Sequence, residues 1–483
     1  MLQLLDRALQ FLSDNADIES CSRANRYLLV RIIIDLRSKN TDLSATTILT
    51  DSLIDLANHQ ILAYPYKDVP TCWRRLLTDA SLAMGCCLLM KLDSVRGTPE
   101  IGWTVEEEIW MKIIRVLDLA IVVAGSPGAG RREVINDVVD MAQQKLTELR
   151  QTHTQTTSVP RESTNPTKLS SSSIQKPQKR PRFHILDSLP ASELPSFPPP
   201  TPPEKIPTII RNIPRPTPIP SLLSFLSHIN ALHPTPLIIS EGVIAHWPAF
   251  HPPRNWSDPS YLLSIASDRV VPVEIGSRYT DDVWTQRMMR FGDFVNQYVL
   301  KGEDNHERKE TDTNSPLASS TPPPPQPIAY LAQHDLLSQI PRLRDDIAVP
   351  DYCYLSPEPA PPEYPSPPAT PDGVITNAWF GPHGTVSPLH HDPYHNLLAQ
   401  VVGRKFVRLY APREGENLYP FEGMMGNTSQ VDVENPDYTR FPAFVSAEYV
   451  ECILSAGEML YIPPKWWHYV RSLDASFSVS FWF

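Results

Sequence analysis

The distribution of proline constrains this chain more than any other feature. Of its 483 residues 52 are proline, about twice the usual share, yet few of these precede Pro127. Proline removes a backbone donor and clashes with the preceding helical turn, so long helices belong to that early stretch. Residues 1–150 accordingly read as a helical domain. Leu2, Leu5, Leu9 and Leu12 recur at helical spacing, as do Leu28, Ile32 and Leu36, and the segments Cys72 to Leu92 and Val105 to Val123 repeat the pattern. No fixed-period repeat is visible.

From 151 to 205 the composition turns to Ser, Thr, Pro and Lys, with Ser170 to Ser173 and Pro198-Pro199-Pro200. Such a segment cannot bury enough apolar surface to offset its chain entropy, so a disordered linker is expected there. From 206 to 483 short β-rich runs take over: Leu237-Ile238-Ile239, Val270 to Val273, Phe406 to Tyr410 and Phe477 to Phe481. The last two alternate, as half-buried antiparallel strands do. Two proline-rich stretches, near 302–327 and 356–372, read as surface insertions in this domain.

A net charge of −11 and a pI near 5.7 argue against a non-specific nucleic-acid binder and leave room for a basic protein partner. The six cysteines show no C-x-x-C spacing, so neither a disulfide framework nor a cysteine-zinc site is expected. Cys86 and Cys87 sit in an apolar run and read as buried thiols of an intracellular protein. No apolar run is long enough for a membrane span. The start, Met1 to Asp6, lacks the features of a signal peptide. The nucleus, with the cytoplasm second, is the expected location. Lys176-Pro-Gln-Lys-Arg-Pro-Arg182 reads either as an import signal or as a solvated basic stretch.

The chemistry concentrates in Leu389-His390-His391-Asp392-Pro393 and, far downstream, Trp466-Trp467-His468. Side chains at i and i+2 of a strand share a face, so His390 and Asp392 can reach one metal while His391 points away. His395, beyond Pro393, reads as a non-ligand. His468 is a candidate third ligand, following two aromatics that can shield a metal from water. Two imidazoles and one carboxylate are the ligand set of non-haem Fe(II) oxygenases; the bland alternatives are a polar surface strand and a core histidine beside tryptophans. Lys405 opens the otherwise apolar run Phe406 to Tyr410. Its burial demands an anion such as the carboxylate of a co-substrate, unless its amine snorkels to solvent. Gly125 to Arg132 lacks the Lys-[Ser/Thr] of a phosphate-binding loop and reads as an interhelical loop. A metalloprotease His-Glu-x-x-His is absent.

Together these pieces resemble the Jumonji-C (JmjC) family of 2-oxoglutarate oxygenases. The resemblance rests on Trp379-Phe-Gly-Pro-His-Gly-Thr-Val-Ser-Pro-Leu-His-His-Asp-Pro393, on Gly403-Arg-Lys-Phe-Val-Arg-Leu-Tyr-Ala-Pro412 and on the terminal Trp467-His-Tyr-Val-Arg471 with Phe477-Ser-Val-Ser-Phe-Trp-Phe483. Pro272 to Thr280 and Tyr330-Leu-Ala-Gln-His334 add to it, and it covers about 220 to 483. It implies an α+β multidomain protein whose C-terminal double-stranded β-helix (a cupin-like jelly roll) follows an N-terminal all-α domain. It also implies Fe(II) on His390, Asp392 and His468, with 2-oxoglutarate and O2 as co-substrates. Lys405 would bind the distal carboxylate of 2-oxoglutarate, and Tyr330, Ser387, Asn396 and Trp482 would line its site. Glu274 and Trp379 would contact the substrate side chain. His383 departs from the small residue the family usually has.

The reading is a protein hydroxylase acting on a basic segment. Arginine hydroxylation comes first, because the Glu274 carboxylate could pair a guanidinium and Trp379 could offer a cation–π face. Histone methyl-lysine demethylation by the same chemistry is the alternative. A non-catalytic jelly-roll module or chromatin scaffold is the further one, disfavoured by the intact triad and Lys405.

Overall fold

The computed structural model describes the chain except for residues 39–41, 66–67, 96–102, 158–195, 201–205, 241, 277, 281–283, 301–326 and 359–372. Two units emerge, Met1–Pro190 with Asp268–Val270, and Ala191–Ser267 with Val271–Phe483. The expected insertions, the basic run 176–182 and most of the expected linker fall outside the described residues.

The first unit carries α1 (Leu2–Leu12), α2 (Arg23–Arg37), α3 (Leu43–Leu62), α4 (Thr71–Val95), α5 (Trp103–Ala124) and α6 (Arg131–Thr157). Helix α6 runs past residue 150, where the linker was expected to begin, because no proline or glycine interrupts Arg131 to Thr157. Ser22 and Asp42 cap α2 and α3, accepting hydrogen bonds from Asn25 N and from Ser44 N and Ala45 N. The buried stripe of α2 is Leu29, Ile32, Ile33 and Leu36. Leu28 is 38% and Leu2 68% exposed, so the leucine spacing overstated the core. Asp79 is fully buried between Arg131 Nε at 2.6 Å and Arg75 Nε at 3.2 Å. Burial pushes its carboxyl up against the pull of both guanidiniums. Gly125 to Gly130 is indeed the α5–α6 loop. A Cβ on Gly130 would fall 2.3 Å from the Phe11 ring, at a φ of +73°. Cys86 and Cys87 are buried and free. Against expectation, Cys21 and Cys72 are disulfide-bonded, their Cα atoms 5.9 Å apart: the turn before α2 meets the start of α4, a contact that cysteine spacing does not encode.

The second unit is built from β1 (Leu237–Ile239), β2 (Val270–Ile275), β3 (Thr285–Arg290), β4 (Ala329–His334), β5 (Ile375–Gly381), β6 (Val386–His391), β7 (Asn396–Val402), β8 (Arg404–Tyr410), β9 (Tyr449–Ser455), β10 (Met459–Ile462), β11 (Trp467–Ser472) and β12 (Ser476–Trp482). They form a large sheet, ordered β1-β10-β7-β12-β5-β4-β2-β3, and a small one, ordered β6-β11-β8-β9. Ile238, Leu398 and Leu460 of the large sheet meet Val407, Leu409, Leu454 and Val470 of the small one. That core lies between the sheets of a jelly roll. Phe477, Val479 and Phe481 pack on the outer face of the large sheet with Trp256 and Phe380.

The alternation in β12 does not mark a wet face. Ser476, Ser478 and Ser480 are as buried as the phenylalanines, so the strand separates two buried faces of different polarity. Gln400 of β7 closes two of the serines: its Nε2 donates to Ser476 Oγ at 2.8 Å, and Ser478 Oγ donates to its Oε1 at 2.6 Å. A buried serine costs little once its hydroxyl is paired.

Candidate active site between the two sheets

The antiparallel pairing of β6 with β11 sets His390 opposite His468. Asp392 lies one residue beyond β6, where its carbonyl accepts from Lys465 N at 2.8 Å. Its Oδ2 is 3.6 Å from His468 Nε2 and 3.9 Å from His390 Nε2, and one ligand atom from each of the three residues falls within 4.8 Å of the others. Both rings are oriented from behind. His390 Nδ1 lies 2.7 Å from Pro388 O and His468 Nδ1 3.1 Å from Trp466 O. With those carbonyls accepting Nδ1–H, each Nε2 keeps its lone pair for the shared space. Burial pushes His468 down to about 4.

His391 turns away, as strand parity expects, with its ring edge-on to Trp467 at 4.6 Å. Trp467 therefore belongs to the outer cluster with Phe406 and Tyr469 and does not shield the His390, Asp392 and His468 cluster, contrary to expectation: it neighbours His468 and so takes the opposite face. The Trp466 indole donates to Pro234 O. His395 is held elsewhere, its Nδ1 2.8 Å from Tyr461 Oη and its ring stacked on Phe483.

A partly open cavity joins this cluster to Lys405, Tyr330, Ser387, Asn396 and Trp379, with Leu398, Ile462, Val470 and Ser480 completing the wall. Ser387 and His390 both reach it although three residues apart, because the β6–β11 register slips between His468 and Val470. Lys405 is 2% exposed. Its Nζ donates to Tyr330 Oη at 3.1 Å, and no carboxylate pairs with it among the described residues. Burial alone pushes the amine down to about 7. Burial pushes the Tyr330 phenol up, against the pull of the neighbouring Ser387. Asn396 Oδ1 and Trp482 Nε1 are buried without a partner among the described residues.

Two expected residues stand beside the cavity instead of in its wall. Trp482 pairs with Asn396 across the strands and stacks on Tyr394 at 5.3 Å. Glu274 lies opposite Tyr330 on the neighbouring strand, accepts from Trp284 Nε1 at 3.3 Å, and has its carboxyl pushed up by burial. His383 occupies the β5–β6 turn. Sequence reasoning missed Trp284, Tyr279 and Ser480. Tyr279 Oη is 3.3 Å from Thr428 Oγ1 and feels the charges of Asp392 and Glu274. Parity with Trp482 would have found Ser480, while no local pattern marks the other two. A second, partly open cavity lies on the outer side of the small sheet, beside Arg408, Tyr410, Phe444 and Tyr449. Its charges are closed in pairs, Arg408 with Glu451 and Arg471 with Glu434, each at 2.8 Å.

Residues 225–483, which hold every described strand and the His390, Asp392 and His468 cluster, match the cupin-like domain family. The chain belongs to the cupin-like JmjC family. Among similar JmjC-family proteins, lysine-specific demethylase 8 of Xenopus tropicalis is 48% identical over 264 residues, 54% of this chain and 51% of the relative. Lysine-specific demethylase JMJ30 of Arabidopsis thaliana is 46% identical over 251 residues, 51% and 49%. Jumonji C domain-containing protein 5 of Drosophila melanogaster is 42% identical over 265 residues, 54% and 58%. The chain thus spans about half the length of the curated relatives it matches. No described helix of this JmjC protein is long and apolar enough to cross a membrane.

Proposed function

We propose that this chain is an Fe(II)- and 2-oxoglutarate-dependent oxygenase that removes methyl groups from lysine side chains of a basic protein segment. The observation that carries the oxygenase reading is Lys405. A buried ammonium whose one partner among the described residues is a phenol calls for an anion, and its cavity also holds His390, Asp392 and His468. The donor set suits Fe(II): two imidazoles of fixed tautomer and one carboxylate, leaving further coordination positions open. The buried Lys405 amine and the Tyr330 phenol it donates to are the donor groups that suit one carboxylate of a small dicarboxylate. The demethylase reading rests on the names of the relatives, and it displaces the arginine hydroxylation that the residues alone put first.

In this reading His390, Asp392 and His468 hold the iron, Lys405 and Tyr330 take the distal carboxylate, and Ser387 and Asn396 position the remainder of the co-substrate. Trp482 backs Asn396. Glu274 and Trp379 recognise the substrate cation. When bound, Fe(II) with 2-oxoglutarate and O2 supplies oxidative decarboxylation to succinate and CO2, coupled to hydroxylation of a substrate C–H bond; an N-hydroxymethyl lysine then releases formaldehyde. The chain's part is orientation and dryness. Pro388 O and Trp466 O lock the imidazoles, while Leu398, Ile462 and Val470 exclude water.

Arginine hydroxylation is the second reading, favoured by Glu274, a largely buried carboxylate that accepts a hydrogen bond from an indole N–H. A guanidinium could pair with it through two hydrogen bonds. The test is succinate formation from 2-oxoglutarate with Fe(II), comparing wild type with His390→Ala on methyl-lysine and arginine peptides. Mass spectrometry then distinguishes loss of a methyl group from gain of one oxygen. Absence of any iron-dependent succinate, with or without peptide, refutes the oxygenase reading. A nuclear site of action and a basic protein substrate belong to the same proposal.

A further inference from the structure

Of the three buried serines on β12, two are satisfied by Gln400, whose Nε2 also donates to Val402 O at 2.7 Å. Ser480 is different. Its hydroxyl accepts the indole N–H of Trp379 at 3.0 Å, and both residues line the cavity. Strand register explains the reach: Trp379 is paired with Ser478, so its indole must lean one pair along the sheet to meet Ser480. The Tyr330 ring stands 6.2 Å from the Trp379 ring and is itself tied to Lys405. The indole is thus bracketed by a hydrogen bond on its edge and an aromatic neighbour beside it.

We propose that Ser480 is the positioning residue that holds Trp379 as the flat wall against which the substrate's cationic side chain lies. The inference rests on the oxygenase reading and deepens it, since it assigns substrate selection to a residue outside the ligand triad and the co-substrate anchor. A tryptophan with one edge in an open cavity can rotate about two side-chain bonds, and a cation–π contact needs the cation over the ring face. Ser480 is 1% exposed, so water does not compete for its oxygen, and an indole that swung away would leave a buried polar group unpaired.

The test uses the full chain and two readouts. In the first, the ten tryptophans are labelled with ¹⁵N at the indole nitrogen. Trp379→Phe identifies the Trp379 resonance by its disappearance, and Ser480→Ala should move that resonance and speed its solvent exchange. In the second, KM and kcat are measured with a trimethyl-lysine peptide for Ser480→Ala, Trp379→Phe and the double variant. One hydrogen bond is worth about fivefold, expected as a rise in peptide KM with a smaller change in kcat. The double variant should be no worse than Trp379→Phe alone. An unmoved indole resonance overturns the proposal whether or not the chain turns over. So do additive losses in the double variant, or an equal loss in peptide-free succinate formation, which would mark a merely structural serine. If wild type forms no iron-dependent succinate, the oxygenase reading fails and with it the substrate role given to Trp379, while the resonance still decides whether Ser480 holds the indole.

Discussion

Lys405 offers the sharpest quantitative handle. Burial depresses this amine to about 7, well under the ordinary lysine range near 10.4. The unfolded chain therefore binds more protons than the folded chain across that interval. Stability contributed at this site rises as pH climbs from about 7, and the full burden is present below it. The depression corresponds to about 5 kcal/mol between the charged and neutral amine, at 1.36 kcal/mol per pH unit. Binding of a dicarboxylate should reverse the balance by restoring the charge. Roughly nine-tenths of the free chain carries the ammonium at pH 6 and roughly a tenth at pH 8. The affinity for 2-oxoglutarate should fall about tenfold between them. The assay is titration calorimetry with Mn(II) in place of iron, in two buffers of different ionisation heat. Uptake of nearly one proton per site is expected at pH 8. Lys405→Met should melt higher than wild type at pH 6, with the gain shrinking by pH 9, and should bind 2-oxoglutarate roughly 10²–10³-fold more weakly, the usual cost of breaking a buried ion pair. An affinity flat from pH 6 to 8, no proton uptake, or a Lys405→Met variant that binds as well as wild type would refute the assignment of this amine as the carboxylate anchor.

Removing His390 as Ala should abolish iron-dependent succinate formation while leaving the melting transition within a few degrees, checked by mass spectrometry and calorimetry. Gly403→Ala, in the turn between β7 and β8, should cost at least about 2 kcal/mol, since φ is +71° and a Cβ would sit 2.2 Å from Ala475 O. Urea unfolding measures it. Gln400→Leu should cost about 2–3 kcal/mol by leaving Ser476 and Ser478 unpaired in the interior, again read from the urea midpoint. Glu274→Gln should weaken the apparent binding of cationic peptides by about tenfold in steady-state assays, as expected for removing one charged hydrogen-bond partner, with a smaller effect on the binding of the co-substrate. Unchanged peptide saturation would remove Glu274 from the substrate contacts.

What the sequence disclosed and what it concealed divide along a physical line. Strand parity is local, so it separated His390 from His391, and the cost of a buried lysine is local too, so Lys405 announced itself before any fold was known. Proline placed the helices correctly but misplaced the end of α6, because a helix ends where its own residues stop it and not where the average composition changes. The failures around the cavity involve partners brought together by strand order. Lys405 meets Tyr330 across a separation of 75 residues; β12 lies between β5 and β7, which is why its serines face a buried glutamine and a tryptophan instead of solvent. The slipped register that lets both Ser387 and His390 into one cavity breaks the period on which parity depends. Tyr279 and Trp284 reach the site from the connection between β2 and β3, where no periodicity operates. Strand parity could pair His390 with Asp392, and the family resemblance added His468. The chemistry of the pocket around it depends on which strands are neighbours, and that is where Ser480, silent in the sequence, acquires its hold on Trp379.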